Sequence, residues 1–538
     1  MLSPLVRTLT ATLTALVALL ALDGCAALNT STTTVGPVRM TDDRAVRDGG
    51  VLTVALQSDP DKLDPTLANT LVSRTVFAAM CQKLYDIDAS DRIVPQLAAA
   101  LPTTSADGRT VTIPIRRGAR FSDGTPLTAQ AVVTSIDRDR TLPGSARATE
   151  LSSVTGAAAT GPYTVRLSLS KRYVPLLPVL ADRSGMVMSP TALAKYGKDF
   201  TNHPSCVGPF KFVDRVAGDR IVLTRDPDYY GASGVHLDGV VFKTITDSSI
   251  RLANLRSGDI QVGDQMQPVD VQSSLTEPKL QLFNSPSLGW SGIGFNIGDS
   301  AGIGRPVGRV DTPFAKDVRV REAFALSLDR DTINKVVFEG MYQPACSPVS
   351  PIAALPAGPT SCPGRNLAKA RQLLRQAGVK TPVKVEMLIA DTQQDSRLAQ
   401  VIQAMAKQAG FDVSLRATDY TTQLATEDAG KFQLTTDAWS GRLDPDGNIA
   451  GFVKTGGALN IYGLSDPVVD RLVAEGRSTA ARPARQAVYD QLIQRVNDSY
   501  AVIVLYRQKN YVVASKSVAG LKVYGDGLIR VTDAGFIR

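Results

Sequence analysis

The sequence predicts a mixed α/β fold that is divided into two or three lobes and follows an N-terminal export signal. Strand and helix patterns alternate along the chain, which is typical of α/β lobes. Removal of a signal over residues 1–24 leaves 514 of the 538 residues, and a chain of that length is too long for one compact core. Beyond this signal no segment approaches the length of a transmembrane helix.

The alternation of elements is clearest between residues 366 and 415. Asn366 is placed to cap a helix whose apolar side chains recur on one face and which stops at Gly378. Residues 383–389 then alternate between apolar and polar, which is the period of a half-buried strand. A second helix ends at Gly410, and a second strand begins at Phe411. Strand, helix and strand at this spacing indicate a mixed α/β lobe.

The N-terminus has the pattern of a secretory signal. Arg7 is the only charge in the first 22 residues, and an apolar run follows it over residues 9–22. This run is shorter than the roughly 20 residues that span a bilayer, and it has the length of a signal-peptide core. It leads into Leu-Asp-Gly-Cys, which ends at Cys25 and resembles a bacterial lipobox, in which the signal is removed and the cysteine is lipidated. Asp23 stands where a small or aliphatic residue is usual, so a chance cysteine after an ordinary cleaved signal is the alternative.

The residues after the signal predict a tether, and the charge pattern bears on the kind of partner. Residues 25–48 are largely polar and predict a flexible tether, which would hold a soluble body at the outer face of the membrane through the lipidated cysteine. The formal net charge is +8, carried by short basic clusters such as residues 115–120 without interleaved aromatic residues. This pattern is typical of a solvated surface, and we expect no nucleic-acid partner.

Four cysteines besides Cys25 predict two disulfides, because an exported protein meets an oxidising environment. Three connectivities are possible. Cys346 and Cys362 bracket a proline-rich loop, so we expect them to pair. Closing a loop of this size stabilises a protein by about 3 kcal/mol in the chain-entropy model. The pair Cys81–Cys206 then follows by elimination.

The sequence gives little support to an enzymatic, metal-binding or nucleotide-binding function. Residues 298–302 satisfy the Gly-x-Ser-x-Gly pattern of serine hydrolases, but the glycine-rich segment after Ser300 is a poor helix former. The two histidines, His203 and His236, both precede this serine. The residues beside them do not form the cluster of ligands that a metal site needs. Residues 292–294 begin like a dinucleotide fingerprint, but the third glycine falls one residue late. We therefore expect a protein that is not an enzyme and that has no cofactor and no metal.

Six segments occur in an order that one protein family shares. They are residues 49–65 (GGVLTVALQSDPDKLDP), 94–138, 207–212 (VGPFKF), 313–333, 368–378 (AKARQLLRQAG) and 439–448 (WSGRLDPDGN). In these segments the chain resembles family 5 of the extracellular solute-binding proteins of ABC transporters, the dipeptide- or oligopeptide-binding type. The resemblance runs from about residue 49 to 530 and covers nearly the whole mature chain.

The resemblance implies a two-lobed α/β clamshell of the periplasmic-binding-protein type (type II, large peptide-binding class). Lobe I is expected to combine residues 49–288 with a C-terminal return over 507–538, and to carry an extra subdomain over about 86–200. Lobe II is expected over residues 289–506. A peptide would lie between the lobes, and the closed form would meet a permease whose ATPase lies on another chain. We expect a monomer.

The family also implies where a peptide binds. In peptide-binding members the loop after the first strand meets the ligand backbone, and a strand of lobe II pairs with the bound peptide as an added strand. Two further candidates lie near the expected hinge and cleft. The ligand-contacting residues expected from these matches are Ala68, Asn69, Thr70, Trp290, Asn296, Trp439, Ser440 and Gly441.

One position departs from the family pattern. Many relatives place an aspartate three residues after the tryptophan of this strand, to pair with the α-amino group of the peptide, whereas this chain has Arg442 there. Arg442 and the nearest carboxylates, Asp444 and Asp446, are therefore expected ligand contacts as well. A second interpretation is a structural pair between Arg442 and one of these aspartates, in a turn. Arg397 is the nearest candidate for the arginine that holds the carboxylate of a dipeptide.

Two kinds of ligand remain open at this point. A longer peptide, or a ligand whose anionic group faces Arg442, fits the sequence better than a strict dipeptide. The family also carries haem, nickel chelates, opines and sugars, so the same fold with a non-peptide ligand is the alternative.

Overall fold

The structure, a computed structural model, describes residues 38–537. The predicted signal peptide, Cys25 and most of the predicted tether lie outside the described residues. Two large sheets, one of seven strands and one of six, form the centres of two lobes. Within residues 38–537, no helix combines the length and the apolar character that crossing a membrane requires.

Lobe I is built around the seven-stranded sheet, and most of it comes from the chain up to residue 286. Its strands are β1 Val46–Arg47, β2 Val51–Leu56, β3 Tyr85–Ile87, β4 Ile93–Pro95, β5 Thr103–Thr104, β6 Thr110–Pro114, β7 Val154–Gly161, β8 Thr164–Leu169, β9 Phe210–Val216, β10 Arg220–Arg225, β11 Gly239–Thr244, β12 Val262–Gly263 and β13 Leu280–Pro286. Its α-helices are α1 Leu71–Met80, α2 Ala129–Thr141, α3 Leu176–Leu180, α4 Pro190–Tyr196, α5 Ser248–Ser257 and α6 Pro268–Ser274. Short 3₁₀ turns occupy Arg183–Gly185, Gly197–Asn202 and Ala232–Gly234.

Lobe II is built around the six-stranded sheet and comes from residues 290–507. Its strands are β14 Trp290–Phe295, β15 Gln343–Pro344, β16 Val383–Ala390, β17 Phe411–Thr418, β18 Leu434–Trp439 and β19 Val502–Arg507. Its helices are α7 Pro313–Lys316, α8 Val318–Ser327, α9 Arg330–Phe338, α10 Leu367–Gln376, α11 Gln393–Ala409, α12 Tyr420–Asp428, α13 Asp446–Val453, α14 Pro467–Ser478 and α15 Arg482–Ser499.

The chain then returns to lobe I through five strands. They are β20 Lys509–Ser515, β21 Val518–Ala519, β22 Lys522–Val523, β23 Ile529–Arg530 and β24 Gly535–Ile537. The strand order of the lobe I sheet is β13-β20-β12-β2-β11-β10-β9, and that of the lobe II sheet is β15-β19-β14-β18-β16-β17. The strands β5, β6, β8 and β7 form a separate antiparallel sheet inside lobe I, within the segment where an extra subdomain is expected.

The chain passes between the two sheets twice, after β13 and after β19. Arg507, at the second passage, is buried and donates hydrogen bonds to the carbonyl of Gly289 at the first passage and to that of Ser347, 2.9 Å away. The buried guanidinium of Arg507 thus ties the second passage to the first at Gly289 and to the lobe II loop at Ser347. This pairing is the geometry that a two-stranded hinge needs.

Local sequence signals explain the boundaries of the lobe II elements. Asn366 accepts a hydrogen bond from the amide of Lys369 at 2.9 Å and caps α10, and α11 ends at Gly410, which has a φ of +108°. Both boundaries agree with the sequence prediction. The β16 strand alternates only in its first half, because residues 387–390 are all buried between neighbouring strands and helices.

The glycines of β14 have a packing role. A Cβ at Gly292 would collide with the carbonyl of Ile503 in β19, and one at Gly294 would collide with the ring of Tyr462. Only glycine lets the neighbouring strand and ring approach this closely. The segment 292–294, which begins like a nucleotide fingerprint, is therefore a central strand of the sheet.

Both expected disulfides are present in the structure. Cys81 at the end of α1 bonds to Cys206, and Cys346 bonds to Cys362 across the proline-rich loop of lobe II. The first closes a span of 125 residues and the second a span of 16. Each therefore ties together parts of a single lobe, and neither of these two disulfides links one lobe to the other.

Candidate functional site

The lobe I wall of the candidate site is the loop that follows β2 and leads into α1. The carboxylate of Asp61 organises this loop by accepting hydrogen bonds from the amide of Asn69 at 2.7 Å and from the hydroxyls of Thr70 and Ser73 at 2.8 and 2.6 Å. Thr70 in turn caps the first turn of α1. The three expected ligand-contacting residues of lobe I are thus held in one fixed loop.

Beneath this loop lie two buried arginines that the sequence did not single out. Arg183 donates to the carbonyl of Ala68 at 2.7 Å, and Arg147 donates to the same carbonyl at 3.2 Å and to Glu150 at 2.6 Å. Both arginines are at most 2% exposed. The Ala68 carbonyl is therefore already hydrogen-bonded within lobe I. Arg147 and Arg183 place positive charge directly behind the loop.

Asp182 connects this region to lobe II. One carboxylate oxygen lies 3.1 Å from Nε of Arg74 on α1, and the other lies 2.6 Å from Nε of Arg442 in lobe II. Arg74 also donates to the hydroxyl of Ser440 at 3.2 Å. We call Arg74, Arg147, Arg183 and Arg442, with the two acids Asp182 and Glu150, the arginine cluster. It brings the predicted loop of lobe I and the predicted residues Ser440 and Arg442 of lobe II to one place.

A second contact between the lobes lies beside the cluster. The amide of Val174 in lobe I donates to the carbonyl of Arg477 in lobe II at 2.8 Å, and the guanidinium of Arg477 lies 5.8 Å from the ring centre of Tyr173. Together with the Asp182–Arg442 ion pair, these contacts show that the lobes are closed on each other at this point.

The electrostatics of the cluster are dominated by burial. Burial, reinforced by the charges of Arg147 and Arg442, holds the pKa of Arg183 well below its usual range. Burial also lowers the pKa of Arg442 to about 10, although Asp182 acts in the opposite direction. Asp182 is itself buried, but Arg442 and Arg74 outweigh that effect and hold its pKa well below the usual range. The cluster is thus an interlobe ion network with Asp182 ionised at its centre.

The lobe II wall is the end of β18. This strand pairs with β14 along its whole length, from residue 434 to 439, but its pairing with β16 stops at Thr435. Among the described strands, none flanks the second edge of residues 436–439. At its first residue the side-chain amide of Gln423 on α12 donates to the carbonyl of Thr436 at 3.0 Å and occupies that acceptor. An unpaired edge of this kind offers backbone donors and acceptors to an extended segment.

Trp439, at the end of β18, serves as a platform for Arg442. Its indole N–H donates to the carbonyl of Gly447 at 2.9 Å, and the guanidinium of Arg442 lies 4.2 Å from the centre of its ring. Trp290 differs from Trp439 in exposure: it is 2% exposed, donates to the carbonyl of Asn448 at 3.2 Å and packs edge-on against Phe452. The expected ligand contact of Trp290 is therefore corrected to a core position, because its indole is already enclosed and hydrogen-bonded.

The second interpretation of Arg442, a pair with Asp444 or Asp446, is wrong. Asp444 accepts two hydrogen bonds from Arg485, both at 2.7 Å, and Asp446 accepts one from Arg477 at 2.7 Å. Both aspartates are buried and already neutralised by these arginines. We therefore assign Asp444 and Asp446 to the framework of lobe II and correct their expected role as ligand contacts.

Two further predicted residues also have other partners. Asn296 is 1% exposed and folds its loop by donating to the carbonyls of Asp299 and Gly430 at 2.8 and 3.0 Å. Arg397 is about half exposed on α11, and its ionic partner is Glu339 at 3.6 Å. Neither contacts the arginine cluster. Gly441 has a φ of +84° and lies so close to Leu288 that a Cβ would collide with its backbone, so its role is to let the chain turn.

Sequence reasoning missed five residues of the cluster: Arg74, Arg147, Glu150, Asp182 and Arg183. Only one had a usable signal, since Arg74 lies one helical turn after the Thr70 cap and so points to the same end of α1. The others come from segments that lie 70 or more residues further along the chain, and no local pattern predicts that they meet.

The rival sites also have definite positions. Ser300 lies in the segment between β14 and α7, and no helix begins within ten residues after it, so the strand–turn–helix of a hydrolase nucleophile is missing there. His203 stacks on Tyr196 at 4.1 Å, and Nδ1 of His236 lies 2.7 Å from Asp48. Over residues 38–537, no three His, Cys, Asp or Glu side chains are grouped so that they could hold a metal ion.

Two α/β lobes, joined by two strand-like passages and meeting at a charged interlobe site, define the class of two-lobed solute-binding proteins. Residues 92–460 match the family model for the bacterial extracellular solute-binding proteins, family 5. The chain therefore belongs to this family, whose members are the substrate-binding components of ABC importers.

Relatives and solved structures agree with this assignment. The chain is 29% identical over 383 residues to the glutathione-binding protein GsiB of Salmonella choleraesuis, covering 71% of this chain and 72% of that protein. It superimposes on the periplasmic binding protein DppA of Helicobacter pylori, in complex with the peptide STSA, with a TM-score of 0.83 at 22% identity, covering 91% and 99% of the two chains. The binding protein AgaA of A. tumefaciens R10, in complex with agropinic acid, gives a TM-score of 0.80 at 24% identity over 91% and 99%.

Proposed function

We propose that this protein captures short peptides between its lobes, as an extracytoplasmic lipoprotein, and delivers them to an ABC permease. The observation that carries this proposal is the open edge of β18 at residues 436–439, beside the closed contact between the lobes. A peptide that adds to this edge makes backbone hydrogen bonds, which depend little on its side chains. Such binding suits the import of varied peptides.

The comparisons support a peptide ligand of modest length. The relatives include proteins named for glutathione binding, and one solved structure of the same fold holds the four-residue peptide STSA. The AgaA structure, which holds agropinic acid, keeps a non-peptide ligand as the second candidate. We infer that the fold gives a general interlobe site and that the charged residues at its rim select the ligand.

The domain assignment belongs to this proposal. We propose that residues 49–288 and 507–538 form lobe I, that 289–506 form lobe II, and that the hinge consists of the two passages near residues 288 and 508. The distribution of strands supports these limits to within one residue, because every strand of the six-stranded sheet lies within 290–507. We also propose a monomer that is anchored through Cys25 and acts by binding without catalysis.

Native mass spectrometry of the mature protein tests the peptide proposal. The purified protein is examined in folded and denatured form, and then after addition of di-, tri-, tetra- and hexa-alanine and of glutathione. We expect a ligand of a few hundred daltons that fragments into amino-acid residues, or a saturable complex with one of the added peptides. A co-purified ligand without amino-acid fragments, together with no binding of any added peptide, would contradict the proposal.

A further inference from the structure

The arginine cluster has more positive than negative charge. It contains the four arginines Arg74, Arg147, Arg183 and Arg442, but only two carboxylates, Asp182 and Glu150. The side chains of all four arginines are at least 89% buried. An excess of two positive charges in an enclosed place is unfavourable unless an anion joins it.

Neighbouring charges reduce this excess to one positive charge but do not remove it. Hydrogen bonds from Ser73, Asn69 and Thr70, with the charge of Arg183, outweigh burial and lower the pKa of Asp61, so this carboxylate adds one negative charge above the cluster. Lys83 and Arg530 are matched by Asp86 and Asp526, and the remaining arginines of lobe II next to the cluster are matched by Asp444 and Asp446. On the lobe I side Asp64 pairs with Arg138 at 2.6 Å. Asp139, close to Arg147, accepts a hydrogen bond from Thr66, and burial raises its pKa to about 8, so it adds little negative charge at pH 7.

Several guanidinium groups of the cluster also carry N–H donors that make no hydrogen bond. Nη2 of Arg442 and Nε of Arg147 and Arg183 are enclosed and make no hydrogen bond among the described residues. Oδ2 of Asp182 also makes none, although it lies 2.6 Å from Nε of Arg442 in the ion pair. Buried donors without partners are rare in proteins, and leaving one unpaired costs free energy. The free Nη2 of Arg442 is the one on the lobe II side, three residues beyond the open edge of β18.

We propose that the arginine cluster binds the carboxylate of the peptide, with Arg442 as the direct partner, so that the peptide lies parallel to β18. This inference rests on the peptide-binding function proposed above. The carboxylate would accept from the unpartnered Nη2 of Arg442, in the charge-assisted manner typical of arginine. The backbone then extends along residues 439 to 436, and the amino end lies near the start of that edge.

The orientation is opposite to that implied for relatives with an aspartate at this position. An acid there would attract the amino end of the peptide, whereas Arg442 repels it and attracts the carboxyl end. The open edge of four residues is about 13 Å long, which matches three or four residues of extended peptide. We therefore infer a preference for short peptides with a free carboxyl end.

The first test compares three forms of one ligand on the unmodified protein by isothermal titration calorimetry. They are trialanine, trialanine with an amidated carboxyl end and trialanine with an acetylated amino end. We expect amidation to weaken binding about tenfold to a hundredfold, because it removes a charge-assisted hydrogen bond. Acetylation is expected to change binding by less than about threefold. Equal binding of the acid and the amide, or a larger loss on acetylation, would overturn the orientation.

Failure of the inference and failure of the function are distinguishable in this test. If none of the three forms binds while hexa-alanine does, the preference for short peptides is wrong but the function stands. If glutathione alone binds, the backbone-paired orientation is wrong. If no alanine peptide and no glutathione binds, the proposed peptide function itself fails.

The second test replaces the arginine. Arg442→Gln is expected to weaken trialanine binding at least tenfold and to reduce the difference between acid and amide to within about threefold. Arg495→Gln, a change of the same kind at a half-exposed arginine of α15, is the matched control and should bind as the unmodified protein does. Thermal unfolding of both variants checks that they are folded. If Arg442→Gln keeps the full preference for the acid, the carboxylate lies elsewhere and the proposal is overturned.

Discussion

Asp182 shows how much a single side chain contributes to this molecule. Its two oxygens bind arginines from different lobes, and each of those arginines also reaches a further polar group. The carboxylate is buried and ionised, so its contribution to stability depends on the presence of both arginines. A change at this position therefore affects the closed contact between the lobes as well as lobe I.

We predict that Asp182→Asn lowers the free energy of unfolding by about 3 kcal/mol, because it leaves Arg74 and Arg442 buried without a counter-charge. Urea denaturation monitored by tryptophan fluorescence measures this change. Glu475→Gln, which breaks an exposed pair with Arg471 at 3.5 Å, is the control and should change stability by less than about 1 kcal/mol. A loss of similar size in both variants would show that the buried network stabilises the protein no more than an exposed ion pair does.

At the scale of elements, α12 and β18 share a buried acid behind the open strand edge. The carboxylate of Glu427 accepts hydrogen bonds from the hydroxyl of Thr435 at 2.5 Å and from the amide of Gln423 at 2.9 Å. Burial, with the negative charge of Asp437 added to it, raises the pKa of Glu427 from an ordinary 4.5 to about 8. The helix is thus joined to the strand by a carboxyl group that is protonated at neutral pH.

This acid makes stability dependent on pH in a defined direction. Between pH 4.5 and 8 the folded protein binds more protons at Glu427 than the unfolded chain does, so the free energy of unfolding falls as pH rises, by at most about 1.4 kcal/mol per unit. We predict that Glu427→Gln removes this part of the decline, whereas Glu475→Gln leaves it in place. Urea denaturation at several pH values tests this, and parallel curves for all three proteins would contradict it.

The elements also show what sequence reasoning can and cannot predict. The cap at Asn366, the stop at Gly410 and the two disulfides follow from local chemistry, and the structure contains all of them. The family motifs predict the two-lobed fold. The partner of Arg442 was not predictable, because Asp182 lies 260 residues earlier and reaches it only through tertiary packing.

The position of Trp290 was missed for a similar reason. Its neighbours in the chain are those of a hinge, but its indole is enclosed by α13, which begins more than 150 residues later. Patterns in the chain report which face of an element is apolar, and they do not report which distant element will cover it.

At the scale of the whole molecule, the proposal requires attachment to the membrane. We predict that the protein, expressed in a bacterium with its own signal, takes up a labelled fatty acid and sediments with the membranes. Cys25→Ser should lose the label and appear in the soluble extracytoplasmic fraction, because a lipid-modified cysteine is the proposed anchor. An unchanged membrane fraction for this variant would contradict anchoring at Cys25.

The short sheet formed by β1, β24 and β21 has a practical consequence for watching this protein at work. Val46 lies opposite Ile537, so β1, which falls within the predicted tether of residues 25–48, is paired with the last strand of the chain, and the ordered body begins before residue 49. A dye attached to this last strand would therefore move with lobe I. Such a dye reports the position of lobe I relative to the membrane. A second dye on α15 of lobe II would change its distance from the first each time the lobes open or close.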